Sequence, residues 1–247
     1  MPEGPFKVSE MLEREIMTKS FFRVLVIIIT ISFSTISHAN TKTATSILLF
    51  GDSIISGYKL AQFESLSHQL ETILTSQGIN VKVINGGVSG DTTGGGRNRI
   101  KWTLEKHKPD IIIIALGGND LLRGFPTKVI RSNVESMLKT AQESGTFVIL
   151  SEVEAPNNYG VQYQEEFNSI YYDLAKKYKV PLYPFLLKKI NYRNSHYMQQ
   201  DKIHPNADGA KKIAQDLADY LLKNMTDSDK KNNNKKEEND FDPIIKW

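Results

Sequence analysis

The chain alternates short apolar runs with stretches of helical length, and each apolar run ends abruptly at small or polar residues. The runs cover residues 47–50, 81–84, 111–116, 147–150 and 181–183. Runs of this length suit buried strands, and parallel neighbours in a sheet need a long connection, usually a helix. The pattern therefore predicts an α/β protein with a parallel sheet and helices on both of its faces.

Apolar residues also recur at intervals of three and four between these runs, which indicates amphipathic helices. The predicted helices cover residues 63–74, 129–141, 162–178 and 207–223. The segment 85–92 is rich in glycine, and we expect it to be irregular. We find no internal repeat, so a single domain at residues 40–224 is predicted.

The N-terminal segment has the features of a secretory signal peptide. Residues 24–33 are almost entirely apolar and follow Lys19 and Arg23. Small residues at Ser37 and Ala39 then predict cleavage before Asn40. An exported, periplasmic or secreted protein without a stable membrane span in its mature form is therefore expected.

Two questions about the chain ends stay open at this point. Residues 1–39 form an N-terminal extension and signal peptide whose true start is either Met1 or Met17, and an uncleaved anchor is the alternative to cleavage.

Residues 225–247 are rich in charged residues and asparagine and offer little to bury. This composition predicts a disordered charged tail.

The composition excludes several kinds of chemistry. The chain has no cysteine, so disulfides, cysteine-ligated metals and a thiol nucleophile are ruled out. The formal net charge is only +3 and is dispersed along the chain. We therefore expect no nucleic-acid partner.

Ser53 is a candidate nucleophile because of its place after the first apolar run. It follows that run through Gly51 and Asp52. In open α/β sheets, ligands bind beyond the carboxyl ends of the strands, so this hydroxyl is placed where chemistry usually occurs. The alternative for the isolated motif is that Asp52 or Ser53 only caps a helix.

Asp201 and His204 provide the second candidate pair. A carboxylate three residues ahead of a histidine can reach the ring Nδ1, which leaves Nε2 free to accept a proton from a serine. Pro205 then favours a helix start directly after His204. As a bare pattern this spacing is also common in surface turns, and His196 is the rival base. The chain order is compatible with a triad that includes Ser53.

Three groups are candidate donors to the oxyanion that forms when a nucleophile attacks an acyl carbonyl. They are the backbone N–H groups of Ser53 and Gly90 and the side-chain amide of Asn119. Each follows one of the first three predicted strands. Ordinary turn chemistry is the alternative for Gly90 or Asn119 taken alone.

Four short motifs occur in a fixed order along the chain: Gly51-Asp52-Ser53, Gly90, Gly118-Asn119-Asp120 and Asp201-x-x-His204. Together they resemble the sequence blocks of the SGNH, or GDSL, hydrolases over about residues 47–224. The residues around these motifs are most similar to those of the bacterial exported thioesterase I, arylesterase and lysophospholipase group. Ile54 departs from the leucine of the name-giving motif.

This resemblance implies a three-layer α/β/α sandwich with a five-stranded parallel sheet, the flavodoxin-like fold of the family. It implies that Ser53 is the nucleophile and His204 the base, with Asp201 orienting the imidazole. Ser53, Gly90 and Asn119 would form the oxyanion hole. No metal or other cofactor is implied, and a monomer is expected.

The substrate side is expected to be lined by the loops after the third and fourth strands. The residues are Leu121, Phe125, Glu152, Pro156, Asn157 and Tyr159. Their mixture of apolar and amide groups favours a fatty or aromatic acyl ester over a sugar polymer. The resemblance implies aryl esters, acyl-CoA or lysophospholipids as small acyl substrates. The alternatives are an O-acetyl esterase acting on cell-wall or capsular carbohydrate and a non-catalytic binding module that keeps the fold.

Overall fold

The computed structural model of the protein describes residues 44–155, 157–190 and 195–234, with side chains up to residue 224 except at 157 and 195. The strands are Thr45–Gly51 (β1), Val81–Gly87 (β2), Ile111–Ala115 (β3), Phe147–Ser151 (β4) and Leu182–Tyr183 (β5). They form one parallel sheet in the order β2-β1-β3-β4-β5. The predicted α/β fold with five parallel strands is confirmed, and β1 lies between β2 and β3.

Seven α-helices connect or follow these strands in the described part of the chain. They are Ser53–Ser56 (α1), Leu66–Ser76 (α2), Thr93–His107 (α3), Gly118–Leu122 (α4), Thr127–Glu143 (α5), Val161–Tyr178 (α6) and Ala207–Asn234 (α7). The sequence pattern does not predict α3, although Thr92 caps it by accepting a hydrogen bond from the N–H of Gly95. Among the described residues, no helix is both long and apolar enough to cross a membrane.

The sheet separates two apolar clusters, because alternate residues of a strand face opposite sides. Leu48, Phe50, Ile112 and Ile114 face the side covered by α3, α5 and α6. Ile47, Leu49, Ile111 and Ile113 face the side covered by α2 and α7. Covering both faces requires strands that are apolar at every position, as β3 is, and it produces the three-layer sandwich.

Two elements extend beyond their predicted ends. β2 continues to Gly87, which pairs with Gly51 of β1. Only glycine fits there, since a side chain would collide with the backbone of Ser56 in α1. α7 continues to Asn234 because residues 210–234 contain neither glycine nor proline to end a helix. The predicted boundary after residue 224 therefore lies within this helix, and disorder of the charged tail stays a prediction. Residues 235–247 and the predicted signal segment lie outside the described residues.

Candidate active site

Ser53 is the first residue of α1, directly beyond the carboxyl end of β1. Asp52 caps this helix, since its Oδ1 accepts a hydrogen bond from the N–H of Ile54 at 3.0 Å. Gly51 leaves no room for a side chain, because a Cβ there would lie 2.7 Å from the carbonyl oxygen of Ala115. Both interpretations of the motif are therefore compatible: Asp52 caps the helix, and Ser53 stays half-buried at the sheet edge.

Two short contacts join Ser53, His204 and Asp201. The Nε2 atom of His204 lies 2.8 Å from Ser53 Oγ, and its Nδ1 lies 2.8 Å from Asp201 Oδ2. Burial raises the pKa of Asp201, but hydrogen bonds from the backbone N–H groups of His204 and Ile203 and from the ring outweigh it and lower the pKa to about 2. An ionised carboxylate only accepts hydrogen bonds, so Nδ1 carries the proton and Nε2 faces the Ser53 hydroxyl as an acceptor.

A short loop holds Asp201 and His204 in this arrangement. Met198 and Pro205 pair as an antiparallel bridge at its base, and the N–H of Gln199 donates to the carbonyl oxygen of His204 at 2.8 Å. Helix α7 begins after this bridge. Pro205 therefore closes the loop, and the helix starts at Ala207, as the sequence pattern predicts.

Tyr58 covers the imidazole and was not among the predicted site residues. Its ring centroid lies 4.6 Å from that of His204 at an interplanar angle of 42°. The side-chain amide of Gln199 donates to the Tyr58 carbonyl oxygen at 2.8 Å and ties the two loops together. His196, the rival base, packs edge-on against Tyr197, so the imidazole that contacts the serine hydroxyl is that of His204.

Gly90 lies in the loop between β2 and α3, with φ at 78° in the left-handed region that favours glycine. The adjacent Ser89 Oγ lies 2.8 Å from Ser56 Oγ in α1. From the other side, Nη2 of Arg123 at the end of α4 donates to the Gly90 carbonyl oxygen at 3.0 Å. The loop is thus attached to the two helices that carry the other candidate donors.

Asn119 lies in α4, directly after β3, and lines a cavity that opens at Ser53. The next residue, Asp120, is buried and accepts hydrogen bonds from the Thr93 N–H at 2.8 Å and hydroxyl at 2.6 Å. Asn133 donates to the same hydroxyl at 3.1 Å. Burial raises the pKa of Asp120, although the hydrogen bonds from Thr93 act in the opposite direction. This network fixes α4 against the start of α3.

The strand order brings the three candidate donors to the same edge of the sheet. Ser53, Gly90 and Asn119 follow β1, β2 and β3, which are direct neighbours. Parallel strands all end at one edge, so the residues that follow them gather there. The grouping expected from the sequence is therefore present in the fold.

The cavity at Ser53 and His204 has a volume of about 220 Å³. Its lining is mostly apolar and includes Ile54, Leu122, Val153, Phe185, Leu186 and Leu187. Of these, the run 185–187 follows β5 in the same way that Ser53 follows β1. That position after a strand is the signal that would have found them in the sequence.

The predicted substrate-binding residues divide into three groups. Leu121 and Glu152 line the cavity. Phe125 and Tyr159 lie elsewhere: both pack against the core under α5 and α6, and the Phe125 carbonyl accepts a hydrogen bond from the Tyr163 hydroxyl at 2.8 Å. These two are removed from the predicted lining. The remaining two, Pro156 and the Asn157 side chain, lie outside the described part of the structure.

Asp52 is an acidic group in the cavity wall that is only 6% exposed. Burial raises its pKa to about 6, although the hydrogen bond from the Ile54 N–H and the nearby His204 act in the opposite direction. Asp91 contributes further to the increase. The ionisation of Asp52 is therefore coupled to the charge around the candidate triad.

A serine, a histidine and an aspartate joined at the edge of an α/β sheet are typical of serine hydrolases. Comparison with known proteins identifies the family. Residues 49–212 match the GDSL-like Lipase/Acylhydrolase family. The chain belongs to this family of ester hydrolases, and the resemblance inferred from the four motifs is confirmed.

Individual relatives cover 72% to 82% of the chain. The arylesterase of Vibrio mimicus is 37% identical over 203 residues, which is 82% of this chain and 99% of that protein. Thioesterase 1/protease 1/lysophospholipase L1 of Escherichia coli K12 is 34% identical over 178 residues, which is 72% of this chain and 84% of that protein. The crystal structure of the psychrotrophic esterase EstA from Pseudoalteromonas sp. superposes with a TM-score of 0.70 at 31% identity, covering 74% of this chain and 99% of EstA.

Proposed function

We propose that the protein hydrolyses acyl esters and thioesters through an acyl-serine intermediate on Ser53. The observation that carries this proposal is the pair of 2.8 Å contacts that joins Ser53 Oγ to His204 Nε2 and His204 Nδ1 to Asp201 Oδ2. A serine hydroxyl is a weak nucleophile at neutral pH and needs an adjacent base. The contact of Nε2 with Ser53 supports the assignment of His204 as that base, with the ring proton on Nδ1.

In the first half-reaction, Ser53 Oγ attacks the acyl carbonyl carbon while His204 Nε2 takes the hydroxyl proton. The resulting tetrahedral intermediate collapses, His204 gives the proton to the leaving alcohol or thiol, and the acyl group stays on Ser53. A water molecule then repeats the sequence and releases the carboxylic acid. Asp201 keeps the imidazole in position and stabilises its transient positive charge.

The oxyanion of the tetrahedral intermediate is assigned to the N–H groups of Ser53 and Gly90 and the side-chain amide of Asn119. Donors that are fixed before the reaction stabilise this charge most, because they need no reorganisation. The contacts of the Gly90 loop with α1 and α4 support such fixation.

The cavity favours an acyl group of medium length. An apolar cavity of ~150 Å³ accommodates benzene, so by simple scaling the cavity at Ser53, about 220 Å³, accommodates about eight or nine carbons. Its apolar wall favours an alkyl or aryl acyl group over a sugar. This agrees with relatives named arylesterase and thioesterase/lysophospholipase, from which we infer the substrate classes.

Export is a separate part of the proposal and rests on the sequence alone. The apolar segment 24–33 behind Lys19 and Arg23 supports translocation, with cleavage before Asn40. The test is the intact mass and N-terminal sequence of the protein recovered from each cell fraction. A full-length protein in the cytoplasm would contradict export.

The function is tested by hydrolysis of p-nitrophenyl esters from about two to sixteen carbons with the wild type and Ser53→Ala. We expect a maximum at medium length, loss of at least about a thousandfold in kcat in the variant, and labelling of Ser53 alone by a serine-directed phosphonate. Ser132→Ala, which changes an exposed serine of α5 that does not line the cavity, is the matched control for labelling.

Other outcomes have defined meanings. Activity confined to acetyl esters would favour the O-acetyl esterase, and activity that survives in Ser53→Ala would refute the nucleophile. A folded wild type inactive at every chain length and on acyl-CoA would support the non-catalytic binding module.

A further inference from the structure

Arg99 is the most extensively bonded side chain near the site that the proposed mechanism does not use. It projects from α3 and its side chain is only 21% exposed. Its three nitrogens bind three separate segments: Nε donates to Asp91 Oδ2 at 2.8 Å, Nη1 to the Gly86 carbonyl at 2.9 Å, and Nη2 to the Gly51 carbonyl at 2.9 Å. The guanidinium carbon also lies 3.8 Å from the centroid of the Phe50 ring.

These segments carry two of the three candidate oxyanion donors. Gly51 is the last residue of β1, close in the chain to the N–H of Ser53. Asp91 is the neighbour of Gly90. One rigid, planar group therefore spans the end of β1, the end of β2 and the Gly90 loop, and its fixed donor geometry sets the spacing between them.

The bonding at Gly51 argues against a purely structural role. The Gly51 carbonyl already accepts a hydrogen bond from the N–H of Val88 at 3.0 Å, so Arg99 is not needed to satisfy it. The second, charge-assisted bond adds direction to the peptide that leads into Ser53. Asp91 is held in turn, because its Oδ1 accepts a hydrogen bond from the Thr92 N–H at 3.0 Å.

We propose that Arg99 is a positioning residue that fixes the Ser53 and Gly90 N–H groups at the spacing required by the oxyanion. It acts through Gly51, Gly86 and Asp91 and does not touch the substrate. The proposal rests on the proposed function, since it assigns a purpose to donors that the hydrolysis requires. It predicts that disturbing the guanidinium impairs the chemical step and leaves substrate binding largely intact.

The test compares Arg99→Lys with the wild type and with Arg131→Lys. Lysine keeps the charge, but its single nitrogen cannot occupy the three positions of the guanidinium nitrogens. We expect kcat to fall by about 10- to 100-fold with KM within about threefold, because displacing a donor weakens the transition state more than the bound substrate. The rate of phosphonate labelling should fall in parallel. The acid limb of the pH profile should stay in place, because the contacts of Arg99 do not include His204.

Arg131→Lys is the matched control, because Arg131 pairs with Asp173 at 2.8 Å on the partly exposed surface of α5 and α6. It should keep the wild-type kcat. Folding of each variant is verified by near-ultraviolet circular dichroism at the assay temperature. If Arg99→Lys does not fold, Asp91→Asn weakens the Nε contact, leaves the bonds of Nη1 and Nη2 in place, and should still lower kcat several-fold.

A folded Arg99→Lys with wild-type kcat, or with a loss confined to KM, would overturn the positioning role. If Arg99→Lys does not fold, wild-type kcat in Asp91→Asn would overturn the positioning role as well. Absence of Ser53-dependent activity in the wild type would instead refute the proposed function, so the two failures are distinguishable.

Discussion

His204 depends on two neighbours of different kinds. Asp201 holds its Nδ1 through a charge-assisted contact, while the Tyr58 ring packs beside it at an angle of 42°. The carboxylate fixes the tautomer, and the aromatic ring restricts rotation of the imidazole. In the proposed mechanism, a base that is fixed in both respects needs little reorganisation when it accepts the proton of Ser53.

Replacing Asp201 by asparagine should lower kcat by about 10⁴-fold while the protein remains folded, because the amide can stabilise the wrong tautomer of His204. Steady-state kinetics on a medium-chain ester measure the effect. Asp208→Asn is the control, since Asp208 is an exposed carboxylate in the first turn of α7. Near-native turnover of Asp201→Asn would remove Asp201 from the triad.

Asp52 should make the protein less stable as the pH rises from about 4 to about 7. Its pKa in the folded protein is about 6 against an ordinary value of 3.8, so the folded state holds this proton more tightly than the unfolded state. The stabilisation from protonation is complete below pH 3.8 and is lost as the pH rises through about 6. The stabilisation lost over this pH range amounts to about 3 kcal/mol.

Urea unfolding of the wild type and Asp52→Asn across this pH range measures the effect. The difference between the two free energies of unfolding should change with pH, because asparagine does not titrate. Asp201 does not interfere, since its lowered pKa of about 2 confines its loss of stabilisation to more acidic solutions. A constant difference between the two proteins would contradict the raised pKa of Asp52.

At the scale of the elements, α3 connects the parts of the site. Its first residue, Thr93, binds Asp120 behind Asn119, and Arg99 binds the ends of β1 and β2. Glycine at position 96 allows this close packing, because a Cβ there would collide with Leu116. The same glycine-rich start weakens the helical pattern in the sequence.

Site residues in local motifs could be predicted from the sequence, whereas those defined by distant contacts could not. Ser53, Asp201 and His204 are predictable because their motifs are local and each follows or forms a recognisable turn. Arg99 is not, because two of its partners are backbone carbonyls 13 and 48 positions away, and a carbonyl leaves no trace in residue type. The position of Phe125 depends on the direction of its loop, which the residue types do not determine.

The end of α3 allows a test of helix capping. Lys108 has φ at 44°, and its N–H donates to the Leu104 carbonyl at 2.8 Å. Lys108→Gly should raise the free energy of unfolding by about 0.5–1 kcal/mol, since glycine adopts this left-handed conformation without a Cβ penalty. Chemical denaturation measures the free energy of unfolding. Lys101→Gly, in the exposed middle of the same helix, should lower the free energy of unfolding by about 1 kcal/mol. Destabilisation by both changes would contradict the capping argument.

At the scale of the whole molecule, one sheet supports two apolar clusters. Leu138 of α5 lies in one cluster and Leu217 of α7 in the other, and both are fully buried. Because β1, β3 and β4 contribute to both sides, loss of either cluster exposes the same strands. The sheet edge that carries the proposed catalytic residues therefore depends on the helices of both layers.

Leu138→Ala and Leu217→Ala should each lower the free energy of unfolding by about 2–5 kcal/mol. Each variant should unfold in a single transition at which near-ultraviolet circular dichroism and esterase activity disappear together. Val161→Ala is the control, because Val161 is 70% exposed and its truncation should change the free energy by less than about 0.5 kcal/mol. Separate transitions for the two signals would show that the layers unfold independently.

The shortness of β5 has a consequence for behaviour at high concentration. This outer strand consists only of Leu182–Tyr183. A foreign chain that tried to extend the sheet on this side would find a template of 2 residues, too short to hold a growing ladder of main-chain hydrogen bonds. Concentrated or partly heated samples are thereby protected on this side from the edge-to-edge association that leads to fibres.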